Sequence, residues 1–274
     1  MHSAPDSQIN QLLLRLAYRD LLQRGAPLPD LPDVEFRCFS QNGEDGILHY
    51  VFSLIGAANR RVIEICAGDG TECNAANLIV NHGWQGLLFD GDPDNVARGK
   101  AFYGTHPNTK ISPPQFVHAW ITAENVNDLV SQAGFAGPVD LLSLDVDGND
   151  YWFLKALTCV APSVLVVEFN AACGPDRAVT MPYDPAFQLD LTSYPARCGA
   201  SLSAFTSLAR TRGYRLVGVQ SNGFNAFFVR NGLGDQALPE RSSQDCYRLN
   251  PRLARWHPSQ LDQVLSGPVR WEDV

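Results

Sequence analysis

The sequence predicts an α/β fold: a mostly parallel sheet of seven strands with one antiparallel strand, flanked by helices and preceded by a helical extension. Three observations predict it. β-runs alternate with helical stretches through residues 62–167. The fifth run, 163–167, is apolar after its first residue, as suits a strand buried on both faces. The last two runs, 214–219 and 225–230, are joined by the short turn Gln220-Ser221-Asn222-Gly223 and read as a hairpin, which turns one strand against the rest.

The elements follow in order. Ile9, Leu12, Leu13, Leu16, Ala17 and Leu21 form one stripe at helical spacing, and a Pro-rich link at 26–32 ends that segment, so residues 1–38 are expected to be a helical extension. Residues 39–48 read as a loop entering a helix at 44–55, with Glu44 and Asp45 in its first turn, where the helix dipole favours acids. Strands are expected at 62–65, 86–89, 115–119, 139–144 and 163–167. The intervening helices are expected at 73–82, 93–102, 123–132 and 151–157. The stretch 170–199 is longer than most connections in compact domains, which points to a lid or binding loop. A helix at 201–212 precedes the hairpin. A catalytic domain is expected over 39–232, and 233–274, with scattered Trp and Pro, as an extension packed on it.

Composition narrows the function. The chain has 274 residues, 45% of them hydrophobic, and a formal net charge of −8. Binding to duplex nucleic acid needs clustered Lys and Arg to neutralise phosphates, so no nucleic-acid partner is expected. No apolar run approaches the roughly 20 residues that span a bilayer, so no membrane partner is expected either. The start of the chain reads as an amphipathic segment with Arg15 and Arg19 and not as a signal peptide, which predicts a cytoplasmic protein. The N-terminal helix has two open roles: covering a cleft, or pairing the chain into a homodimer. Seven cysteines with no CxxC spacing predict reduced thiols over a disulfide framework or a zinc site.

The stretch Arg61-Val62-Ile63-Glu64-Ile65-Cys66-Ala67-Gly68-Asp69-Gly70-Thr71 runs from strand through an acid into a glycine turn. Glycines admit close backbone approach to a ligand and φ values that other residues avoid. One βαβ step later, 86–89 ends in Asp90-Gly91-Asp92. An acid at that second strand tip suits ribose hydroxyls, because both can donate to one carboxylate. Asp90 and Asp92 are both candidates. Together the two elements point to an adenosine-containing cofactor and a small-molecule substrate.

The order of elements resembles the class I S-adenosylmethionine-dependent methyltransferase fold, a Rossmann-like sheet whose last strand is inserted antiparallel. The resemblance covers about 39–230. Within it, Ser40-Gln41-Asn42-Gly43-Glu44-Asp45-Gly46, Asp145-Val146-Asp147-Gly148-Asn149 and Asn225-Ala226-Phe227-Phe228-Val229-Arg230 resemble the FkbM-like methyltransferases of bacterial secondary metabolism. The resemblance implies S-adenosylmethionine as cofactor, with Gln41, Glu64, Gly68, Asp69 and Gly70 beside its methionine part. It also implies Asp90 on the ribose, Trp120 on the adenine, and Asp145 near the methionine end or the acceptor. Cys66 departs from the pattern: it stands where the first glycine of the turn is usual.

Asp145, Asp147, Asp150 and Glu168, with Asn149 and Asn170, form a second constellation at the tips of strands four and five. It suits three tasks: holding the cofactor's amine, acting as a general base, or ligating Mg²⁺ through oxygen, the least favoured of the three. Asp145, Asn149, Glu168, Asn170 and Tyr183 are the catalytic candidates. Tyr183 and Tyr194, in the long loop, are candidates to face the sulfonium by a cation–π contact. The expected reaction is methyl transfer to an oxygen or nitrogen of a small molecule. The alternative is cyclisation of S-adenosylmethionine itself to azetidine-2-carboxylate, with release of methylthioadenosine.

Overall fold

A computed structural model describes residues 5–190, 198–255, 262, 264, 266 and 270–274. Helix α1 (Pro5–Gln23) packs on α2 (Glu44–Ile55), which leads into β1 (Arg61–Ile65). There follow α3 (Ala76–His82), β2 (Gln85–Asp90), α4 (Pro93–Thr105), β3 (Gln115–His118), α5 (Val126–Gln132), β4 (Gly137–Leu144), α6 (Asp150–Ala156) and β5 (Val160–Glu168). Among its described residues the long stretch holds a 3-10 turn (Ala171–Cys173) and the two-residue β6 (Val179–Thr180). Then come α7 (Leu202–Thr211), β7 (Tyr214–Val219), β8 (Asn225–Arg230), α8 (Ser243–Leu249) and β9 (Glu272–Asp273).

Seven strands form one sheet in the order β3-β2-β1-β4-β5-β8-β7. Every pairing is parallel except those of β8, which runs antiparallel between β5 and β7. This is the mostly parallel Rossmann-like sheet with one antiparallel strand expected from the sequence. Strand order reverses between β1 and β4, the point at which sheets of this kind open a crevice beyond their carboxyl ends.

Alternation along the strands divides the core into two layers. Ile63, Ile65, Leu142, Leu144, Leu165 and Val167 face α5, α6 and α7, while Val62, Leu141, Val164, Val166, Phe227 and Val229 face α2, α3 and α4. The same period carries Glu64, Ser143, Asp145, Glu168 and Asn225 onto the second face, at or near the strand tips. Sheet pleat thus brings residues far apart in sequence to one rim. Glu168 and Asn225 are directly paired across β5 and β8.

Several boundaries differ from expectation. Helix α3 begins at Ala76 because the N–H groups of Asn74 and Ala75 donate to the buried Glu64 carboxylate instead of continuing a helix backwards. Helix α5 starts at Val126, after Asn125 closes a turn on Thr122. The tail holds α8, whose Cys246 and Tyr247 enter the core, and β9, which pairs with β6. The stripe of α1 differs most: Ile9, Leu12, Leu13 and Leu16 are 56–59% exposed, while Gln11 and Tyr18 face inward. None of the α1 residues lines the main cleft, so the covering role is not seen among the described residues.

Candidate active site at the carboxyl rim of the sheet

A cleft of about 970 Å³ opens above the carboxyl ends of β1, β2, β4 and β5. Its floor is the turn after β1. Gly68 and Gly70 take φ of +59° and +73°, and Cys66 takes +68°. A Cβ on Gly70 would lie 2.9 Å from the Tyr103 ring, so both sterics and backbone require glycine there. Cys66 holds a glycine-like conformation with a side chain attached, which costs about 1–3 kcal/mol. Across the neighbouring strand tip Asp147 does the same at φ +60°. Two such residues facing one cleft mark a built site.

The turn is held from beneath by acids. Glu64, 2% exposed, accepts from Asn74 N–H at 2.9 Å, Ala75 N–H at 2.6 Å and the Ser143 hydroxyl at 3.2 Å. Burial still pushes its carboxyl up to about 7. Asp69 accepts from the backbone and hydroxyl of Thr71. Asp90 accepts from Gly68 N–H (2.8 Å), Asp92 N–H (2.9 Å) and Asn95 Nδ2 (3.0 Å). Three of the roughly four lone-pair directions of a carboxylate are therefore used, which leaves one for a ligand.

The carboxylate cluster lies opposite. Side-chain oxygens of Asp145, Asp147 and Glu168 lie within 4.8 Å of one another. Burial, then the charge of Asp147, pushes Asp145 up to about 6. Burial, then Asp145, pushes Glu168 well above the usual carboxylate range, and Glu168 hydrogen-bonds Asp145. The repulsion of two adjacent buried charges and the hydrogen bond between the carboxyls favour a proton shared by the pair. Asp150 lies behind them, accepting from Val146 N–H (2.8 Å) and Gly148 N–H (3.0 Å), so it braces the loop that presents Asp147. Burial followed by Asp145 raises it to about 7.

Of the predicted residues, Gln41, Glu64, Gly68, Asp69, Asp90, Asp145 and Glu168 line the cleft, and Gly70 closes its turn. Four others are bonded to backbone or side-chain groups outside the cleft, and a fifth lies in an adjoining recess. Asp92 caps α4 by accepting from Asp94 N–H, so it has a structural task. Asn149 clamps the long loop, donating to the Asp184 carbonyl at 2.7 Å. Asn170 caps the next turn through Ala172 N–H and donates to the Cys198 carbonyl. Tyr183 accepts from Ala123 N–H and donates to Glu124, away from the cleft. Trp120 lines not the cleft but an adjoining recess of about 80 Å³, shared with Cys66, Asp90 and Phe187. Its indole N–H donates to the Pro185 carbonyl at 2.7 Å. Tyr194 falls outside the described residues.

Sequence reading quoted Glu44 and Asn225 within motifs without giving them a role in the site, and missed Glu72 and Phe224. Glu44, 1% exposed, accepts from Asn42 N–H and from Asn225 Nδ2. Asn225 Oδ1 is buried with no hydrogen-bond partner, although it belongs to the cleft wall. A lone Asn opening the apolar run Ala-Phe-Phe-Val was the signal available. Eight carboxylates line the cleft: Glu44, Glu64, Asp69, Glu72, Asp90, Asp145, Asp147 and Glu168. No Lys or Arg does so among the described residues.

No protein-family model matches the chain, and no curated protein matches it. Solved structures similar to it include the O-methyltransferase from Bacillus cereus in complex with S-adenosylhomocysteine, at 13% identity and TM-score 0.45, covering 82% of this chain and 90% of that one. The CcbJ methyltransferase from Streptomyces caelestis is similar at 14% identity and TM-score 0.42, covering 73% and 96%. Magnesium protoporphyrin IX methyltransferase from Synechocystis PCC 6803, with S-adenosylmethionine bound, matches at 12% identity and TM-score 0.39, covering 69% and 78%. At this distance the cleft's own residues decide its chemistry.

Proposed function

We propose that the protein binds S-adenosylmethionine across the carboxyl rim of its sheet and transfers the methyl group to an oxygen or nitrogen of a small molecule. The charge of the cleft carries this reading. Eight carboxyl groups line the cleft and no Lys or Arg does among the described residues, which disfavours nicotinamide dinucleotides and nucleoside triphosphates, whose phosphates need cations or helix N-termini. A sulfonium nucleoside instead brings a sulfonium and an ammonium to meet the acids. The glycine turn admits its methionine part, the remaining lone pair of Asp90 accepts one ribose hydroxyl, and the Trp120 recess takes the edge of the adenine. The α-ammonium reaches the unpartnered Asn225 Oδ1 and the adjacent Glu168 and Asp145.

Positioning supplies much of the rate: an in-line nucleophile, methyl carbon and sulfur lower the barrier by roughly 7–11 kcal/mol. Asp145, its carboxyl raised by burial and then by Asp147 toward the range of a general base, takes the acceptor's proton. The cleft volume favours transfer over cyclisation, since about 970 Å³ is at the upper end for small-molecule sites and leaves room for an acceptor beside the cofactor. The oxygens of Asp145, Asp147 and Glu168 also suit Mg²⁺ in kind, as a secondary reading. With the FkbM-like enzymes that its motifs resemble, we assign the protein to secondary metabolism in the cytoplasm. The exposed stripe of α1 offers a face to a second copy.

The test is incubation of the purified protein with S-adenosylmethionine, alone and with hydroxyl- and amine-bearing small molecules, with and without EDTA, followed by mass spectrometry. The reading predicts S-adenosylhomocysteine and a methylated product only when an acceptor is present, regardless of EDTA. Methylthioadenosine and a cyclic amino acid from the cofactor alone would establish cyclisation instead.

A further inference from the structure

A second cavity, of about 290 Å³, lies between α1, α2 and α3, at the amino-terminal end of β1 and so at the opposite end of that strand from the acidic cleft. Its chemistry is the reverse of the cleft's. Arg15, Arg60, His49 and His82 line it, and no Asp or Glu does among the described residues. Neither arginine makes an ion pair among the described residues. Arg15 is half-buried and Arg60 exposed, so both guanidiniums are open to an anion entering the concavity.

Three features build the site. His49 is 4% exposed, yet its Nε2 has no hydrogen-bond partner. A buried ring nitrogen left unpaired costs stability unless a ligand completes it. His82 stacks on His49 with ring centroids 5.3 Å apart, and its Nε2 meets Gln11 Oε1 at 2.7 Å. Asn77 Nδ2 donates to the same oxygen, so His82 carries its proton on Nε2. Arg60 stands at φ +54° and is held there because the Asp140 carboxylate accepts from Ala58, Asn59 and Arg60 N–H at 2.5–2.9 Å. That carboxylate is spent on the backbone and leaves the guanidinium free. Burial, with Arg15 beside them, keeps both imidazoles below their ordinary pKa. Phe52 and Trp84 also line the cavity, each 7% exposed, with ring centroids 4.7 Å apart in an edge-on contact.

We propose that this cavity is a second ligand site for a small organic oxyanion, a carboxylate or phosphate ester on a flat apolar body. The oxyanion lies between Arg15 and Arg60 and against His49 Nε2, with the body over Phe52 and Trp84. A volume near 300 Å³ is the lower end for small-molecule sites and fits one such ring.

Equilibrium binding of benzoate, phenyl phosphate and inorganic phosphate to the full chain tests it, together with melting temperature and ¹⁵N NMR of the histidine rings. The wild type is expected to bind benzoate or phenyl phosphate saturably, with a rise in melting temperature and movement of the His49 ring signals. Which of the two binds identifies a carboxylate or phosphate source. The Arg15→Gln/Arg60→Gln double variant is expected to bind about tenfold or more weakly, because each guanidinium–oxyanion pair is charge-assisted. Arg15→Lys/Arg60→Lys keeps the charge and retains part of the affinity, which guards against a folding defect in the first variant. Absence of saturable binding by the wild type, or equal affinity in the Gln variant, overturns the proposal.

Discussion

Replacing Asp145 by Asn removes one charge from the crowded end of the cleft and keeps the shape of the side chain. In the unliganded protein that charge is unfavourable, because burial and Asp147 lift the carboxyl from 3.8 to about 6. At pH 8 such a rise corresponds to about 3 kcal/mol against the ionised form. Allowing for an imperfect amide fit, Asp145→Asn should stabilise the empty protein by about 1–3 kcal/mol, or raise its melting temperature by about 2–10 °C. With cofactor bound, the same carboxylate answers a cation. Losing one charge-assisted contact costs about 1.5–3 kcal/mol, which weakens S-adenosylmethionine binding by about 10- to 150-fold. The two effects have opposite signs, and a purely structural role would not give that combination. Thermal unfolding without ligand and titration calorimetry with S-adenosylmethionine, both at pH 8, read them separately. A variant that melts lower than wild type and binds the cofactor unchanged would refute the reasoning.

Three further outcomes follow from the same chemistry. Asp45 and Asp145 are pushed up to about 6, Glu64 and Asp150 to about 7, and Glu168 higher, so between pH 5 and 7 the folded state holds more protons than the unfolded chain. The lowered His49 and His82 act in the opposite sense, but they are two groups against five. Stability of the unliganded protein should therefore fall as pH rises from 5 to 8, and a melting temperature that climbs over that range would contradict it. Cys66→Gly releases a left-handed side chain, so unfolding in urea at fixed pH should show a gain of about 1 kcal/mol or a neutral change, against a loss if Cys66 is packed for stability. Glu64→Gln presents an amide donor to the N–H groups of Asn74 and Ala75. It should cost about 1–3 kcal/mol at pH 8, measured by chemical denaturation, and no loss would mean the turn is held otherwise.

The fold was largely legible because its signals are local and periodic. The apolar run of β5 and the turn of the hairpin each need only a few residues to be read, and the glycine turn announces its backbone through composition. The acids Glu64, Asp90, Asp145 and Glu168 were legible for a related reason, since each lies at or next to the end of a strand and parallel strands end on one rim. Capping was not legible. Asn149, Asn170 and Asp92 carry the same donors and acceptors whether they meet a ligand or a backbone group, and only the folded chain shows that they meet backbone. Asn225 was hidden because its importance comes from cross-strand pairing with Glu168, 57 positions away in the sequence. The exposure of the α1 stripe was hidden too, since spacing gives the helix a face but not the side on which α2 packs.

Titration of S-adenosylmethionine and, separately, of NAD⁺ into the purified protein at neutral pH tests the acidic cleft most directly. One sulfonium nucleoside bound per chain, with no heat from the dinucleotide, is the predicted result. Binding of NAD⁺, or no binding of S-adenosylmethionine, would contradict the account.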